Sequence, residues 1–171
     1  LLPTVLRLSD ENETAINLAK PDEVGGDTGD EGGCLMITGL EGTPEAVAAR
    51  RTAVSALLAS AGGTSLGEDD GWANGRFHGP YLRDSLLDVG VLVETCETVT
   101  FWSNLQNVYD AVKDAFAETL PGSLVLCHIS HVYETGASLY FTVAAKQLED
   151  GVGQWLSAKG AASDAMMATG A

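Results

Sequence analysis

The residues best suited to chemistry lie between Val125 and Val143, where two histidines and two tyrosines interrupt an apolar stretch. The stretch is rich in β-branched and aromatic residues, which predicts two β-strands joined by a turn at Glu134–Gly136, with the glycine supplying the turn. His128 and His131 are metal-ligand types, but residues three apart on a strand point to opposite faces. A zinc site also needs about four ligands. The sequence therefore predicts no shared metal site unless a bulge brings the two rings together.

Tyr140 lies between two large apolar residues, Leu139 and Phe141. Because side chains alternate along a strand, Leu139 and Phe141 are expected to face the core and Tyr140 the other side of the sheet. Tyr140 is then either an aromatic at the rim with its hydroxyl in water, or a phenol that gives or takes a proton in a cleft. Spacing alone favours the rim.

Arg83 is a single basic residue among apolar neighbours in an acidic chain. One interpretation is a local ion pair with Asp84 or Asp88. The other is a guanidinium fork that holds a phosphate or a carboxylate. Composition leaves both interpretations open.

Composition limits the classes of function. The 171 residues carry a formal net charge of −15. This charge argues against nucleic-acid binding, because an acidic surface repels phosphate backbones. No apolar run approaches the roughly 20 residues of a membrane span. The three cysteines (Cys34, Cys96 and Cys127) are widely separated within apolar runs, which predicts buried, reduced thiols in a cytoplasmic protein.

The strands that must position these residues are predicted from apolar runs. Besides the hairpin, strands are expected over Thr4–Leu8, Cys34–Leu40 and Val89–Thr98, with a further short one at Thr64–Leu66. The apolar character of Cys34–Leu40 predicts a buried, central strand.

Helices are predicted from caps and apolar spacing. Asp10 and Glu13 have the spacing of a capping box before a short helix that Pro21 ends. Further helices are expected after Thr43, from Pro80 and after Ser103, and the tail from Gln147 to Ala171 is expected to be weakly helical. The helix after Thr43 is expected to turn one apolar stripe inward, formed by Val47, Val54, Leu57, Leu58 and Ala61. The order of elements predicts an α+β fold, a mainly antiparallel sheet with helices packed on one face.

The segment Asp22–Gly33 consists almost entirely of glycine and acidic residues. A mobile surface loop is the favoured interpretation. A calcium loop is the alternative, but the ligand spacing of an EF-hand is absent.

Three blocks together resemble the C-terminal part of FAD-linked oxidases of the vanillyl-alcohol-oxidase type: Gly62–Gly71, Tyr81–Asp84 and Cys127–Phe141. Within that family the blocks are most similar to the alkyldihydroxyacetonephosphate synthases, and they follow one another with matching spacing. The resemblance implies a ferredoxin-like α+β cap domain over residues 1–171. It also implies a fragment, because the family's FAD-binding domain and a histidine cluster near its C-terminus are not in this sequence.

The resemblance also implies roles for individual residues. Arg83 occupies the place of an arginine that contacts the substrate's phosphate, and Tyr140 that of a tyrosine in proton transfer. His128 stands where the synthases have an arginine, so the polar end of the substrate is expected to be bound differently, with His128 and His131 as further substrate contacts. The implied cofactor is FAD, the implied substrate an anionic small molecule with an acyl or alkyl chain, and a homodimer is left open.

Two other functions stay open. A flavin-dependent dehydrogenase of 2-hydroxy acids would use Arg83 to hold a carboxylate, but the metal-binding histidine block of such relatives is disrupted, with only His131 in place. A non-catalytic ligand-binding α+β domain is the third hypothesis. The favoured function is exchange of acyl for alkyl on dihydroxyacetone phosphate, a reaction of ether-lipid type, with this fragment inactive on its own.

Overall fold

A five-stranded antiparallel sheet organises the chain. The computed structural model describes residues 3–18, 33–68, 71–75 and 77–171. The strands are β1 (Val5–Ser9), β2 (Met36–Gly39), β3 (Val91–Phe101), β4 (Leu124–Val132) and β5 (Gly136–Lys146). Their spatial order is β2-β1-β4-β5-β3, and every neighbouring pair is antiparallel. The predicted α+β class is confirmed.

Within the described residues, six α-helices accompany the sheet. They are α1 (Glu11–Leu18), α2 (Pro44–Ser60), α3 (Gly71–Gly75), α4 (Gly79–Asp88), α5 (Leu105–Thr119) and α6 (Gly151–Thr169). A short 3₁₀ turn, Trp102–Asn104, joins β3 to α5. No helix within the described ranges combines the length and the apolar character that crossing a membrane requires.

The core lies between the β4–β5 hairpin and the helix pair α5 and α6. The inward positions of α5 are Val108, Val112 and Phe116, and all three are fully buried. They pack with one set of alternating hairpin residues, including Leu139 and Phe141. The predicted hairpin is therefore confirmed. A period of 2 residues places Leu139 and Phe141 on one face of the hairpin, and a period of 3.6 residues places the three inward residues on one face of α5.

Helix α6 is a regular, capped helix of 19 residues, whereas the sequence predicted a weakly helical tail. Asp150 caps it by accepting a hydrogen bond from the backbone N–H of Gly153 at 2.8 Å. Ala158 and Ala162 are fully buried, and Trp155 stacks on Phe116 with ring centroids 6.1 Å apart. The expectation of a weak helix was wrong because alanine has the highest helix propensity and its small side chain lets α6 pack closely on α5.

Two strand expectations were wrong. The run Cys34–Leu40 forms β2, which lies at the edge of the sheet and is only half-buried. Residues 64–66 form no strand. At Cys34–Leu40 an apolar run signalled burial, but β4 and β5 fill the centre of the sheet, so the run gave no information on position within it.

Helix boundaries also differ in part from the predictions. Thr43 caps α2 as expected, yet α2 has no fully buried residue. Of the predicted inward stripe, Val47, Val54 and Leu58 are half-buried, whereas Leu57 and Ala61 are exposed. Helix α5 begins at Leu105 after the 3₁₀ turn, and Ser103 does not cap it. Pro21 and the Asp22–Gly32 part of the proposed surface or calcium loop lie outside the described residues.

The cysteines are free but not uniformly buried. Cys34 is exposed, Cys96 is half-buried and Cys127 is buried. Burial raises the pKa of Cys96 to about 11, and burial also raises that of Cys127. Both thiols are therefore protonated and unreactive at neutral pH. Cys34 lies just before β2, the strand at the edge of the sheet.

Gly136 was expected to supply the turn, but it is the first residue of β5 and permits a close approach between two strands. Its φ is not in the left-handed region. An added Cβ would overlap the backbone carbonyl of Thr100 and lie 2.9 Å from its carbonyl carbon. Gly136 therefore lets β3 and β5 approach closely at the point where Phe101 pairs with it.

Replacing Gly136 by alanine is expected to lower the free energy of unfolding by about 1–3 kcal/mol because the backbone of β3 has to move. The control is Gly160→Ala in α6, where a Cβ meets nothing within 4 Å. That change is expected to raise stability by about 0.5–1 kcal/mol. Urea denaturation followed by tryptophan fluorescence measures both, and equal effects of the two substitutions would contradict the close approach.

Candidate functional site

A row of polar side chains crosses the sheet on the face opposite α5 and α6. Ser9 pairs with His128, His128 with Tyr140, and Tyr140 with Glu97. The row therefore joins β1, β4, β5 and β3. Because Leu139 and Phe141 are in the core, the predicted outward direction of Tyr140 is confirmed.

His128 and Tyr140 form the centre of this row. Their rings stack with centroids 5.0 Å apart and an interplanar angle of 25°. His128 is buried and Tyr140 is half-buried. Among the described residues, none hydrogen-bonds to the Tyr140 hydroxyl. The phenol is thus held through its ring while its oxygen stays available to a bound molecule.

Glu13 lies directly behind His128. Its Oε1 is 3.0 Å from His128 Nδ1 and 2.8 Å from a terminal guanidinium nitrogen of Arg7. Glu13 is only 5% exposed. Three elements therefore meet at one carboxylate oxygen: α1 carries Glu13, β1 carries Arg7 and β4 carries His128.

The start of α1 places Glu13. The Asp10 side chain accepts a hydrogen bond from the Glu13 backbone N–H at 2.8 Å, as a helix cap does. The other half of the predicted capping box is not made, because the Asp10 N–H donates to the carbonyl of Cys127 instead. Glu13 is thereby free to bind His128. Asp10 also accepts from the Tyr109 hydroxyl at 2.9 Å, which fixes α1 against α5.

Glu13 is a carboxylate at neutral pH. Burial by itself would raise its pKa, but the hydrogen bonds from His128 and Ser9 and the positive charge of Arg7 outweigh burial and hold the pKa below its ordinary value. A carboxylate can only accept a hydrogen bond, so His128 Nδ1, which contacts Glu13, carries a proton.

The other side of Tyr140 carries a hydroxyl and carboxylate network. Ser130 donates a hydrogen bond to Glu97 at 2.7 Å and lies 2.6 Å from the Ser138 hydroxyl. The backbone N–H of His131 donates to Ser138 at 3.0 Å. A bulge between Ile129 and Val132 makes this arrangement possible by placing extra backbone beside β5.

His131 is exposed next to this bulge. It lines a groove of about 450 Å³ together with Arg7 and Trp72. The bulge does not join the two histidines into a metal site, because His128 is buried against Glu13. In the described part of the chain, no group of three or more His, Cys, Asp and Glu residues could hold a metal ion.

Arg83 lies away from the row, at the outer edge of β3. Its Nε donates to the carbonyl of Val93 at 3.2 Å, and a terminal nitrogen contacts Glu94 at 2.5 Å. Asp84, one of the expected partners, is 3.8 Å away. Glu94 is the stronger partner, and it lies on the next element, where local spacing could not indicate it. Its hydrogen bond raises the pKa of Arg83 above the ordinary value.

The structure therefore brings together only some of the predicted site residues. His128 and Tyr140 touch, whereas Arg83 contacts β3 at Val93 and Glu94, about 10 Å along the strand from Glu97, the partner of Tyr140. Sequence reasoning missed Arg7 and Glu97 and assigned Glu13 only to a cap. Arg7 and Glu97 lie on the sheet face opposite the core, where a polar strand residue by itself indicates only a solvent-facing position.

Comparison with known proteins gives a consistent result. The family model described as FAD linked oxidases, C-terminal domain, matches residues 1–169. The alkyldihydroxyacetonephosphate synthase of Dictyostelium discoideum is 36% identical over 133 residues, which are 74% of this chain and 22% of that protein. The synthase of Trypanosoma brucei brucei is 30% identical over 122 residues, 68% of this chain and 20% of that protein.

Solved structures agree with the sequence comparison. Two structures of alkyldihydroxyacetonephosphate synthase match with TM-scores of 0.83 and 0.82. Each is 31% identical and covers 99% of this chain and 34% of its own chain. The chain thus spans about a fifth of the length of the curated relatives and about a third of the solved ones.

The lowered pKa of Glu13 predicts how acid destabilises the chain. A carboxyl whose folded pKa is below the ordinary 4.5 stabilises the fold above that pH and loses this contribution as the pH falls through the folded pKa. The stability difference between the wild type and Glu13→Gln is therefore expected to shrink between about pH 6 and pH 3.

Urea denaturation at each pH measures this difference. The matched control is Glu118→Gln, since Glu118 is exposed on α5. Its difference from the wild type is expected to stay within about 0.5 kcal/mol at every pH. A difference for Glu13→Gln that does not change with pH would contradict the assignment of a stabilising carboxylate.

Proposed function

Because the chain belongs to the family of FAD-linked oxidase C-terminal domains, we propose that it is the substrate-binding cap domain of an alkyldihydroxyacetonephosphate synthase-like enzyme. The proposed domain spans residues 1–171, and the proposed reaction exchanges acyl for alkyl on dihydroxyacetone phosphate. The observation that carries the proposal is Tyr140, held through its ring by His128 with its hydroxyl open, on the sheet face opposite the packed helices.

FAD is part of this proposal. The open hydroxyl of Tyr140 and the face opposite α5 and α6 fit a cap that meets a cofactor bound mainly by another part of the parent protein. When bound, the flavin supplies the group-transfer chemistry at the substrate carbon. This chain's own residues then hold the substrate, exclude water and move a proton.

Tyr140 is the proposed proton-transferring residue. A half-buried phenol can donate its proton to a reacting group or accept one if it lies within hydrogen-bond reach of it. The stack with His128 restricts ring rotation, so the hydroxyl has a defined direction. His128 therefore acts beside Tyr140, at the place where the sequence expectation put a substrate contact.

Arg83 is the proposed contact to the anionic end of the substrate, and His131, which lines the groove beside the β4 bulge, is a further proposed substrate contact. The carbonyl of Val93 and the carboxylate of Glu94 fix one side of the guanidinium, and the Arg83 side chain is still 43% exposed. A guanidinium oriented in this way can present its remaining N–H groups to a phosphate. A local cation is needed because the chain as a whole carries a net charge of −15.

Three further features belong to the proposal. The acyl or alkyl chain of the substrate needs an apolar channel shared with the rest of the parent. A cytoplasmic location suits three free thiols, and a homodimer is the proposed assembly.

The test uses the full-length parent protein, loaded with flavin and kept free of oxygen. Acylated dihydroxyacetone phosphate with a fatty alcohol is expected to bleach the flavin spectrum transiently and to give an ether product. Lasting bleaching by a 2-hydroxy acid, with no ether formed, would overturn the proposal in favour of a dehydrogenase. A parent without flavin would overturn both and leave a ligand-binding domain.

Tyr140→Phe in the same protein is expected to lower kcat by about 10²–10⁴-fold while KM stays nearly constant, because the substituted ring still stacks on His128 but cannot transfer a proton. Steady-state ether formation measures both constants. The control is Tyr81→Phe, since the Tyr81 ring is exposed on α4. Equal activity of the two variants would contradict the role of Tyr140.

A further inference from the structure

The buried contact between Glu13 and His128 has no part in the chemistry described so far. Glu13 is 5% exposed and His128 is 7% exposed. Moving a carboxylate from water into such a place costs free energy, and a pair of apolar residues of similar size would stabilise the fold equally well. Its position behind the ring that stacks on Tyr140 suggests a use beyond stability.

We propose that Glu13 is a positioning residue that holds His128 in one tautomer and one orientation against the ring of Tyr140. The proposal rests on the proposed function of Tyr140. It adds to that function a residue on α1, far from Tyr140 in the sequence.

The tautomer follows from the contact atoms. A carboxylate can only accept a hydrogen bond, so His128 Nδ1, at 3.0 Å from Glu13 Oε1, must carry the proton. In a neutral ring this leaves Nε2 as the acceptor. Among the described residues, none is found hydrogen-bonded to Nε2. The basic nitrogen is thus reserved for a group outside the described chain, such as the substrate.

The orientation follows from the same contact. An imidazole whose Nδ1 is hydrogen-bonded cannot rotate about its Cα–Cβ or Cβ–Cγ bond without breaking the hydrogen bond to Glu13. Tyr140 stacks on that ring at 5.0 Å, so the direction of the phenol depends on it. Arg7 contacts the same carboxylate oxygen at 2.8 Å and keeps Glu13 charged and in place.

The surroundings limit the groups that can change the charge of His128. The titratable and charged groups recorded around it are Glu13 from α1, Arg7 from β1 behind Glu13, and Tyr140 from β5. Beyond Tyr140, Glu97 from β3 completes the row. A change in the acid limb of the pH profile on altering Glu13 therefore reports on this cluster.

The experiment is a double-mutant cycle in the flavin-loaded parent protein. Glu13→Gln is expected to lower kcat about tenfold or more, the size of effect seen when a carboxylate orienting a histidine is lost. KM for the phosphate substrate is expected to stay within about twofold, and the acid limb of the kcat profile is expected to move. In a His128→Gln background, the further change on adding Glu13→Gln is expected to be under about twofold.

Glu13→Asp and Glu118→Gln complete the set. Glu13→Asp keeps the charge and is expected to recover part of the lost kcat, while Glu118→Gln on the exposed side of α5 is expected to leave kcat unchanged. Flavin content and Tm are measured for every variant to show that it folds. If Glu13→Gln does not fold, the kcat of Glu13→Asp is the measurement that tests the proposal. The proposal would be overturned if Glu13→Gln lowered kcat equally in the wild type and in the His128→Gln background, or if it did not lower kcat at all.

A second measurement separates this proposal from the proposed function. Nitrogen-15 NMR of the histidine rings in the parent, with His128 assigned from His128→Gln, reports the tautomer without any turnover. A protonated Nδ1 and a bare Nε2 in the wild type, becoming a mixture in Glu13→Gln, support the positioning role even if no ether product is found. A bare Nδ1 in the wild type would overturn it even if the enzyme is active.

Discussion

The packing of α5 and α6 on the β4–β5 hairpin is the constraint on which the rest of the structure depends. Phe116 and Phe141 are fully buried where these layers meet, and Trp155 closes the contact from α6. Since strand residues alternate, burying one set on this face sends the other set to the opposite face. The core thereby decides that His128 and Tyr140 share a surface that neither helix covers.

A second constraint is electrostatic. Glu13 is buried with a charge that Arg7 balances and a hydrogen bond from His128 satisfies, since an unpaired carboxylate in this position would cost several kcal/mol. Such an arrangement fixes geometry more than it adds stability, because desolvation offsets most of the attraction. A polar cluster on the free face of an otherwise apolar sheet is therefore easiest to understand as part of a site that must hold its shape.

Arg83 illustrates how an acidic chain orients a single cation. Glu94 and Asp84 neutralise the guanidinium in part, but they also orient it at the edge of β3. Glu94 pairs with the core residue Val143, so its side chain lies on the α5–α6 face of the sheet, whereas the Tyr140 row lies on the other face. Nearly the whole chain is similar to alkyldihydroxyacetonephosphate synthases, which contain three to five times the length found here.

The sequence by itself determined the hairpin, the face of α5, the α+β class and the outward direction of Tyr140. Each depends on a period of 2 or 3.6 residues or on a turn signal, and such signals are local. It also identified the family, through blocks at Tyr81–Asp84 and Cys127–Phe141. It did not reveal that β2 is an edge strand or that α2 has no fully buried residue, because an apolar run indicates burial without saying which neighbour provides it.

Only the tertiary structure decided the partners of the charged groups. Glu13 and His128 are 115 positions apart, and Arg83 and Glu94 belong to different elements. Local spacing assigned Glu13 to a helix cap and Arg83 to Asp84 or Asp88, since these were the acids and donors within reach along the chain. Pairing of β1 with β4 brought α1 behind His128, and a contact formed by strand pairing between distant segments leaves no periodic trace in a single sequence.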